Sequence, residues 1–292
     1  MAAMPEPPWV TEVMTWYDDH ARVLPWRGAD ITPYGVLVSE VMLQQTPVAR
    51  VVPAYQAWVE RWPQPASLAA EPVSEALRMW GRLGYPRRAL RLHEACRLVV
   101  REWAGELPTT VPGLLSLPGV GAYTARAVAV FALRQRHAVV DTNVRRVVAR
   151  VVEGCADAPV KPQDLALVES LLPAATGPAA KASIALMELG ALVCTARAPR
   201  CLACPLASTC RWRAEGAPPL DAPARRPQGY AGTDRQVRGR LLAVLRDSRE
   251  PVEAAELSQT WNEPEQRDRS LLGLVADGLV VSLPDGTYAL PD

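Results

Sequence analysis

Residues Leu117–Val144 read LPGVGAYTARAVAVFALRQRHAVVDTNV, and this stretch decides the fold. Pro118 ends whatever precedes it, and Gly119 and Gly121 allow a tight turn and close approach of a ligand to the backbone. From Ala122 to Leu133, Ala125, Val128, Ala129 and Ala132 recur at helical spacing, so the turn Gly119-Val120-Gly121 opens a helix. Amides at a helix start have no partner within the helix and favour an anion, phosphate above all. Asp141 follows about one helix later and itself opens a second helical run, DTNVRRVVARVV. It suits a helix cap, and a capping carboxylate that stays ionised also suits chemistry.

Upstream, Pro33–Thr46 (PYGVLVSEVMLQQT) is predicted to be one helix, apolar on nearly every side. Among Val36, Leu37, Val41, Met42 and Leu43 it carries one carboxylate, Glu40. A carboxyl desolvated in this way holds its proton more tightly, as a general acid near neutral pH requires; the plainer reading has Glu40 reaching solvent. Gln44, Gln45 and Thr46 close the helix before Pro47 and offer donors and acceptors suited to base edges. Trp9–His20 reads as an amphipathic first helix. It is followed by Arg22-Val23-Leu24-Pro25-Trp26-Arg27, which is either a buried loop anchor or a wall for a flat base. Between Val48 and Trp103, apolar residues three and four apart predict an all-α bundle. Tyr85, in GRLGYPRRA, is either core or a wedge between base steps.

Near the end of the helical region stands Cys194-x6-Cys201-x2-Cys204-x5-Cys210. No secretory signal is legible at the N-terminus, so the quartet reads as a metal site rather than a disulfide framework. Only one C-x2-C pair occurs, whereas zinc ribbons use two, so four thiolates here suit a [4Fe–4S] cluster. Cys96 and Cys155 stand alone and read as buried thiols. Residues 214–233 are rich in Pro, Ala and Gly and read as a linker. After them come three helices, within 234–247, 251–261 and 263–278. Two short strands follow around Pro284-Asp285-Gly286, the pattern of a winged helix.

The chain has 292 residues and a net charge of +1, and 49% of its residues are hydrophobic. That length suits two or three domains of globular type. Charged residues recur throughout, so no stretch is apolar enough to span a membrane, and a cytoplasmic, nucleoid-associated location is expected. The net charge does not point to nucleic acid, but the distribution does. Thirty arginines and two lysines, Lys161 and Lys181, include arginine clusters at 82–101, 134–150 and 197–213. These form either a phosphate-binding stripe or solvated helix faces.

With RVLPWR, SEVMLQQT, GRLGYPRRA, LPGVGAYTA, VVDTNV and the cysteine quartet in this order, residues 9–213 resemble the MutY-type adenine DNA glycosylases of the helix-hairpin-helix, endonuclease III superfamily. The resemblance implies an all-α fold: a six-helix barrel domain over 32–137 and an iron–sulfur domain built from 1–31 and 138–213. The linker (214–233) and the winged-helix-like domain (234–292) complete the chain. It further implies a monomer that binds double-stranded DNA and removes adenine mispaired with 8-oxoguanine or guanine.

By that resemblance Glu40 protonates the extruded adenine and Asp141 stabilises the positive sugar. Tyr123 and Asn143 orient the sugar and Asp141, and Arg22, Leu24, Trp26 and Arg27 line the adenine pocket. Leu43, Gln44, Gln45 and Tyr85 enter the duplex, and the amides of Gly119, Val120 and Gly121 hold a backbone phosphate. Sister enzymes that also nick the strand use a lysine after the hairpin; Tyr123 stands there, so strand cleavage is not expected. Two departures are Ser183-Ile184 ahead of MELGALVC, where the family carries Asn and then Glu or Gln, and a winged helix where the family commonly carries a NUDIX-like domain. The rival readings are an endonuclease III-like or thymine-mismatch glycosylase, or a non-catalytic iron–sulfur DNA-binding module.

Overall fold

The structure, a computed structural model, describes residues 8–28, 30–156, 160–219 and 229–292. Much of the 214–233 linker therefore lies outside the described residues. In chain order the helices are α1 (Pro8–His20), α2 (Pro33–Leu43), α3 (Val48–Arg61), α4 (Pro65–Ala69), α5 (Val73–Trp80), α6 (Arg87–Glu102), α7 (Val111–Leu115), α8 (Ala122–Phe131), α9 (Thr142–Val148), α10 (Pro162–Leu171), α11 (Thr176–Leu192), α12 (Arg211–Ala214), α13 (Asp234–Asp247), α14 (Ala254–Ser258) and α15 (Pro264–Ala276). The strands are β1 (Val281–Ser282) and β2 (Tyr288–Ala289). This is the all-α architecture expected, and none of the helices is long and apolar enough to cross a membrane.

The described residues divide into two compact units. The first takes in 8–36, 109–115 and 120–219; the second takes in 37–108, 116–119 and 229–292.

In the first unit α1, α9 and α11 share a core. Val10 and Val13 of α1 meet Val144, Val147 and Val148 of α9 and Ala182, Ala185, Leu186 and Leu189 of α11. The closest packing of α11 occurs at Gly190. A Cβ there would lie 2.7 Å from the Asn143 carbonyl oxygen and 2.8 Å from its Cβ, so the absent side chain brings α11 against the start of α9. After α9 the chain runs as a π-turn over Ala149–Glu153 and leaves it through Gly154 at φ 75°. Cys155 next to it is exposed. The expectation of a buried thiol fails there because the left-handed exit turns the chain outward, while Cys96 on α6 is buried as expected.

The second unit is built around aromatic residues. Trp58 packs edge-on against Trp62 and Trp80, with ring centroids 4.7 Å and 5.7 Å away, an arrangement suited to the aromatic quadrupole. Leu68, Leu77 and Leu92 complete this core. The C-terminal segment has the winged-helix arrangement: α13, α14, α15 and an antiparallel β1–β2 hairpin pairing Val281 with Ala289 and Ser282 with Tyr288. A bridge from Val252 to Tyr288 ties in the strand position before α14. The hairpin turn is closed by Asp285, whose Oδ1 accepts from the Thr287 amide at 3.0 Å and hydroxyl at 2.7 Å.

Candidate active site and cysteine pocket

Asp141 is fixed by its own helix. As N-cap of α9 its Oδ1 accepts from the amides of Asn143 (2.9 Å) and Val144 (2.8 Å), and its Oδ2 accepts from Asn143 Nδ2 (2.7 Å). Arg146 in turn donates to Asn143 Oδ1 at 2.8 Å and to the Gly190 carbonyl at 2.7 Å, so the amide that orients the carboxylate is oriented from below. Burial pushes the Asp141 carboxyl above its ordinary value; the hydrogen bonds from Val144 and Asn143 and the charge of Arg146 pull the other way without cancelling it. Asp141 and Asn143, expected to act together, stand side by side.

Arg22 and Arg27 also converge, on a residue that the sequence reading did not single out. Glu188 of α11 is fully buried and accepts from Arg22 Nε (2.7 Å) and Nη2 (2.8 Å), from the Arg22 amide (3.0 Å), and from Arg27 Nη2 (2.9 Å). Burial drives the Glu188 carboxyl up, but the hydrogen bonds from Arg22 and Arg27 and the Arg27 charge outweigh it and bring it down to about 2. The signal resembled the one that picked out Glu40, a single carboxylate on a largely apolar helix. Leu24 and Trp26 are buried beside these arginines in sequence, Trp26 within a short 3-10 turn over Pro25–Arg27. Ser183 is buried and its hydroxyl donates to the His137 carbonyl at 3.3 Å, so this departure from the family pattern serves the α11 packing. Tyr123 lies half-buried in the first turn of α8.

In the second unit Glu40 is buried on α2, 7% exposed, as the apolar helix predicts. The helix is shorter than expected. It ends at Leu43, and Gln45 takes a left-handed backbone at φ 56°. The reason lies outside the segment, in Arg88. Its Nη1 donates to the carbonyls of Val41 (2.7 Å), Met42 (2.9 Å) and Gln44 (2.7 Å), taking the orphan acceptors of the last turn. Thr46 is not available to a ligand: it is buried and bonded to the Leu83 carbonyl and to Arg88. Leu43 and Gln44 are half-buried and Gln45 is exposed. Tyr85 is 51% exposed at φ 48°, outside the core. Arg88 Nη2 reaches the Gly84 carbonyl at 2.9 Å, so one guanidinium supports both the Gln44–Gln45 turn and the Tyr85 turn.

The glycines of the 119–121 turn differ. Gly119 has φ 79°, and a Cβ on it would lie 2.7 Å from Cβ of Arg91. Gly121 caps α8 with extended backbone at φ −91°, and a Cβ on it would meet nothing within 4 Å. Val120 between them is buried. Only Gly119 is required by the turn itself.

Of the three arginine clusters, the one over 134–150 is largely turned inward, whereas Arg82, Arg87, Arg91, Arg97 and Arg101 of the first and Arg197, Arg200, Arg211 and Arg213 of the third are exposed. Arg145, Arg146 and Arg150 are buried: Arg145 pairs with Glu153 and Asp164, and Arg150 donates to the carbonyls of Ala156, Thr195 and Ala196. Arg136 serves Glu169 and the carbonyls of Leu172 and Pro173. A phosphate-binding stripe over 134–150 is therefore not formed, because these guanidinium forks satisfy chain ends and carboxylates of the fold.

Cys194, Cys201, Cys204 and Cys210 line one pocket, walled by Val147, Val151, Leu189, Leu206 and Trp212. Arg150 Nη1 lies 3.4 Å from Cys194 Sγ, and its guanidinium stacks 4.5 Å from the Trp212 ring. Among the described residues no three His, Cys, Asp or Glu side chains are placed to hold a single ion. Four soft sulfur donors around an apolar pocket, with a cation beside them, suit an iron–sulfur cluster by their chemistry.

Comparison with known proteins agrees with this geometry. Residues 38–163 match the HhH-GPD superfamily of base excision DNA repair proteins. The adenine DNA glycosylase of Mycolicibacterium smegmatis is 56% identical over 280 residues, covering 96% of this chain and 94% of that protein. That of Mycobacterium tuberculosis is 55% identical over 285 residues, covering 96% and 93%. Both matches therefore extend into the C-terminal helices. Among solved structures, a thermostable thymine-DNA glycosylase superposes with a TM-score of 0.65 at 28% identity, covering 71% of this chain and 95% of that one. The chain belongs to the adenine DNA glycosylases of the HhH-GPD superfamily.

Proposed function

We propose that this glycosylase removes adenine paired with 8-oxoguanine or guanine in double-stranded DNA, by hydrolysis and without cutting the strand. The adenine leaves the base stack first. Glu40, in its acid form, donates a proton to a ring nitrogen of the base. The bond from sugar C1′ to the base then breaks, its electron pair departs with neutral adenine, and a positive charge remains on the sugar. The Asp141 carboxylate faces that charge. Water adds to C1′, and its proton returns to the Glu40 carboxylate.

The observation that carries this reading is the fixing of Asp141: two amides and the Asn143 side chain hold its oxygens, as electrostatic stabilisation of a developing cation requires. Arg22 and Arg27, locked to Glu188, hold the Leu24–Trp26 segment as a pocket wall with Tyr123. Leu43, Gln44, Gln45 and Tyr85 meet the duplex. The two exposed residues among them, Gln45 and Tyr85, both sit in left-handed backbone, a conformation that collects at ligand-binding positions. Gly119, Val120 and Gly121 approach a phosphate at the start of α8.

Strand cleavage would need an amine at the sugar. Lys181 is ion-paired with Asp18 at 2.6 Å, and Tyr123 occupies the position after the hairpin. Cys194, Cys201, Cys204 and Cys210 would hold a [4Fe–4S] cluster, which supplies a rigid cross-link between the end of α11 and the start of α12. The testing experiment is single-turnover cleavage of duplexes carrying A:8-oxoguanine, A:guanine, T:guanine and thymine glycol, beside Glu40→Gln and Asp141→Asn. Base release confined to the two adenine duplexes and lost in both variants is expected. Release of thymine glycol, or retained activity in either variant, would overturn the reading.

A further inference from the structure

The 81–85 turn carries Tyr85, and each of its carbonyls accepts from a side chain of the second unit. Arg82 O accepts from Arg50 of α3, Leu83 O from Thr46, Gly84 O from Trp80 Nε1 (2.9 Å) and Arg88, and Tyr85 O from Arg88 Nε (3.4 Å). The remaining one, Gly81 O, is held by Arg246 at the end of α13. Gly81 has φ 52° and ψ −124°, a conformation open to glycine and strained for a residue with a Cβ.

The same end of α13 is anchored to α5 from the other side. Arg78 Nη1 donates to the carbonyls of Leu245 (3.2 Å), Arg246 (2.8 Å) and Ser248 (2.7 Å), and Arg249 pairs with buried Glu75. Arg78 thus satisfies the carbonyls at which α13 ends, and Arg246 reaches from that fixed point to Gly81.

The winged-helix segment is poorly suited to grip a polyanion. Over 229–292 it carries seven arginines and no lysine against eleven Asp and Glu. Arg238, Arg246, Arg249 and Arg269 are engaged with Asp277, Gly81, Glu75 and Asp234. Two of these, Arg238 and Arg269, are used within the segment, and the other two, Arg246 and Arg249, are used on the 81–85 turn and on α5.

We propose that the winged helix is a brace that positions the Tyr85 turn through Arg246, and that it thereby sets how strongly the enzyme prefers 8-oxoguanine over guanine opposite adenine. This rests on the reading above that Tyr85 meets the duplex. Arg246 is a positioning residue: it acts through the turn.

The test is single-turnover base release from A:8-oxoguanine and A:guanine duplexes by the full chain and by Arg246→Met, Arg246→Lys, Tyr85→Ala and the Tyr85→Ala/Arg246→Met double variant. It is paired with amide hydrogen exchange across residues 81–85. Arg246→Met should exchange faster in the turn and lower the rate ratio between the two duplexes by about tenfold, within the roughly hundredfold that a misplacement of about 1 Å can cost. Arg246→Lys should recover part of the ratio, and the double variant should be no worse than Tyr85→Ala. An unchanged ratio in Arg246→Met, or losses that multiply in the double variant, would overturn the proposal. If Tyr85→Ala leaves the ratio intact, the reading of Tyr85 and the specificity role both fail, while faster exchange in Arg246→Met would still mark the brace.

Discussion

Arg22 grips Glu188 with both arms of its guanidinium, Nε at 2.7 Å and Nη2 at 2.8 Å, although 166 residues separate them. Glu188 is fully buried, so the pair joins the loop after α1 to the middle of α11. Breaking a buried pair by removing one charge costs about 3–5 kcal/mol. Glu188→Gln should lower stability by that order and should disturb adenine release through Arg22 and Arg27, read by thermal melting and single-turnover kinetics.

The same pair sets an acid limit. The folded-state value of Glu188 lies below its ordinary one, at about 2 against 4.5. Its contribution is therefore present above pH 4.5 and is lost as pH falls towards 2. On the order of 2–3 kcal/mol should disappear over that window, and acid unfolding monitored by circular dichroism should be flatter there in Glu188→Gln.

Gly119 and Gly121 should respond differently to alanine. Gly119→Ala must adopt a positive φ and displace Arg91, a loss of about 1–3 kcal/mol. Gly121→Ala meets nothing and should change folding stability by less than about 0.5 kcal/mol. Denaturant melts decide this. A loss of duplex affinity in Gly121→Ala with stability intact would place a phosphate against that position.

Gly190→Ala forces a methyl against the backbone of Asn143. Overpacking of this kind costs about 1–3 kcal/mol. Because Asn143 holds Asp141, the rate of adenine release should fall more than duplex affinity does. A variant as fast as the parent would mean that the Asn143 contact does not position the carboxylate.

A count of reactive thiols reports on the cysteine pocket. Cys96 is buried and its thiol is pushed up to about 12, so it should stay silent, while Cys155 is exposed. With a cluster held by the quartet, one thiol should react quickly with a disulfide reagent, and five after chelation under oxidising conditions. Five fast thiols in freshly purified, coloured protein would speak against the four ligands proposed.

Much of the candidate site was legible because its residues are local signals. Asp141 sits at a helix start and caps it, and Glu40 sits on an apolar helix and is buried. What escaped depends on partners far along the chain. The Pro33–Thr46 run looks helical to its end, and nothing in it announces that Arg88 will terminate it at Leu43. Glu188 carried a signal similar to that of Glu40, but its meaning depends on Arg22 and Arg27 closing on it from the N-terminal region. The arginine clusters read as a phosphate-binding stripe or as solvated faces because sequence shows charge and not direction; in the fold Arg145, Arg146 and Arg150 of the 134–150 cluster point inward, while Arg82, Arg97, Arg197 and Arg200 of the other two are exposed.

That inward use of arginine bears on how the protein should meet a duplex. Each basic group that displaces a counterion from DNA steepens the dependence of affinity on ionic strength by nearly one logarithmic unit per contact. Guanidinium forks already committed to carbonyls, as at Arg88, Arg136, Arg146 and Arg150, have none to displace, so the slope against salt should be set by exposed arginines such as Arg82, Arg97, Arg197 and Arg200 and not by the full count of thirty.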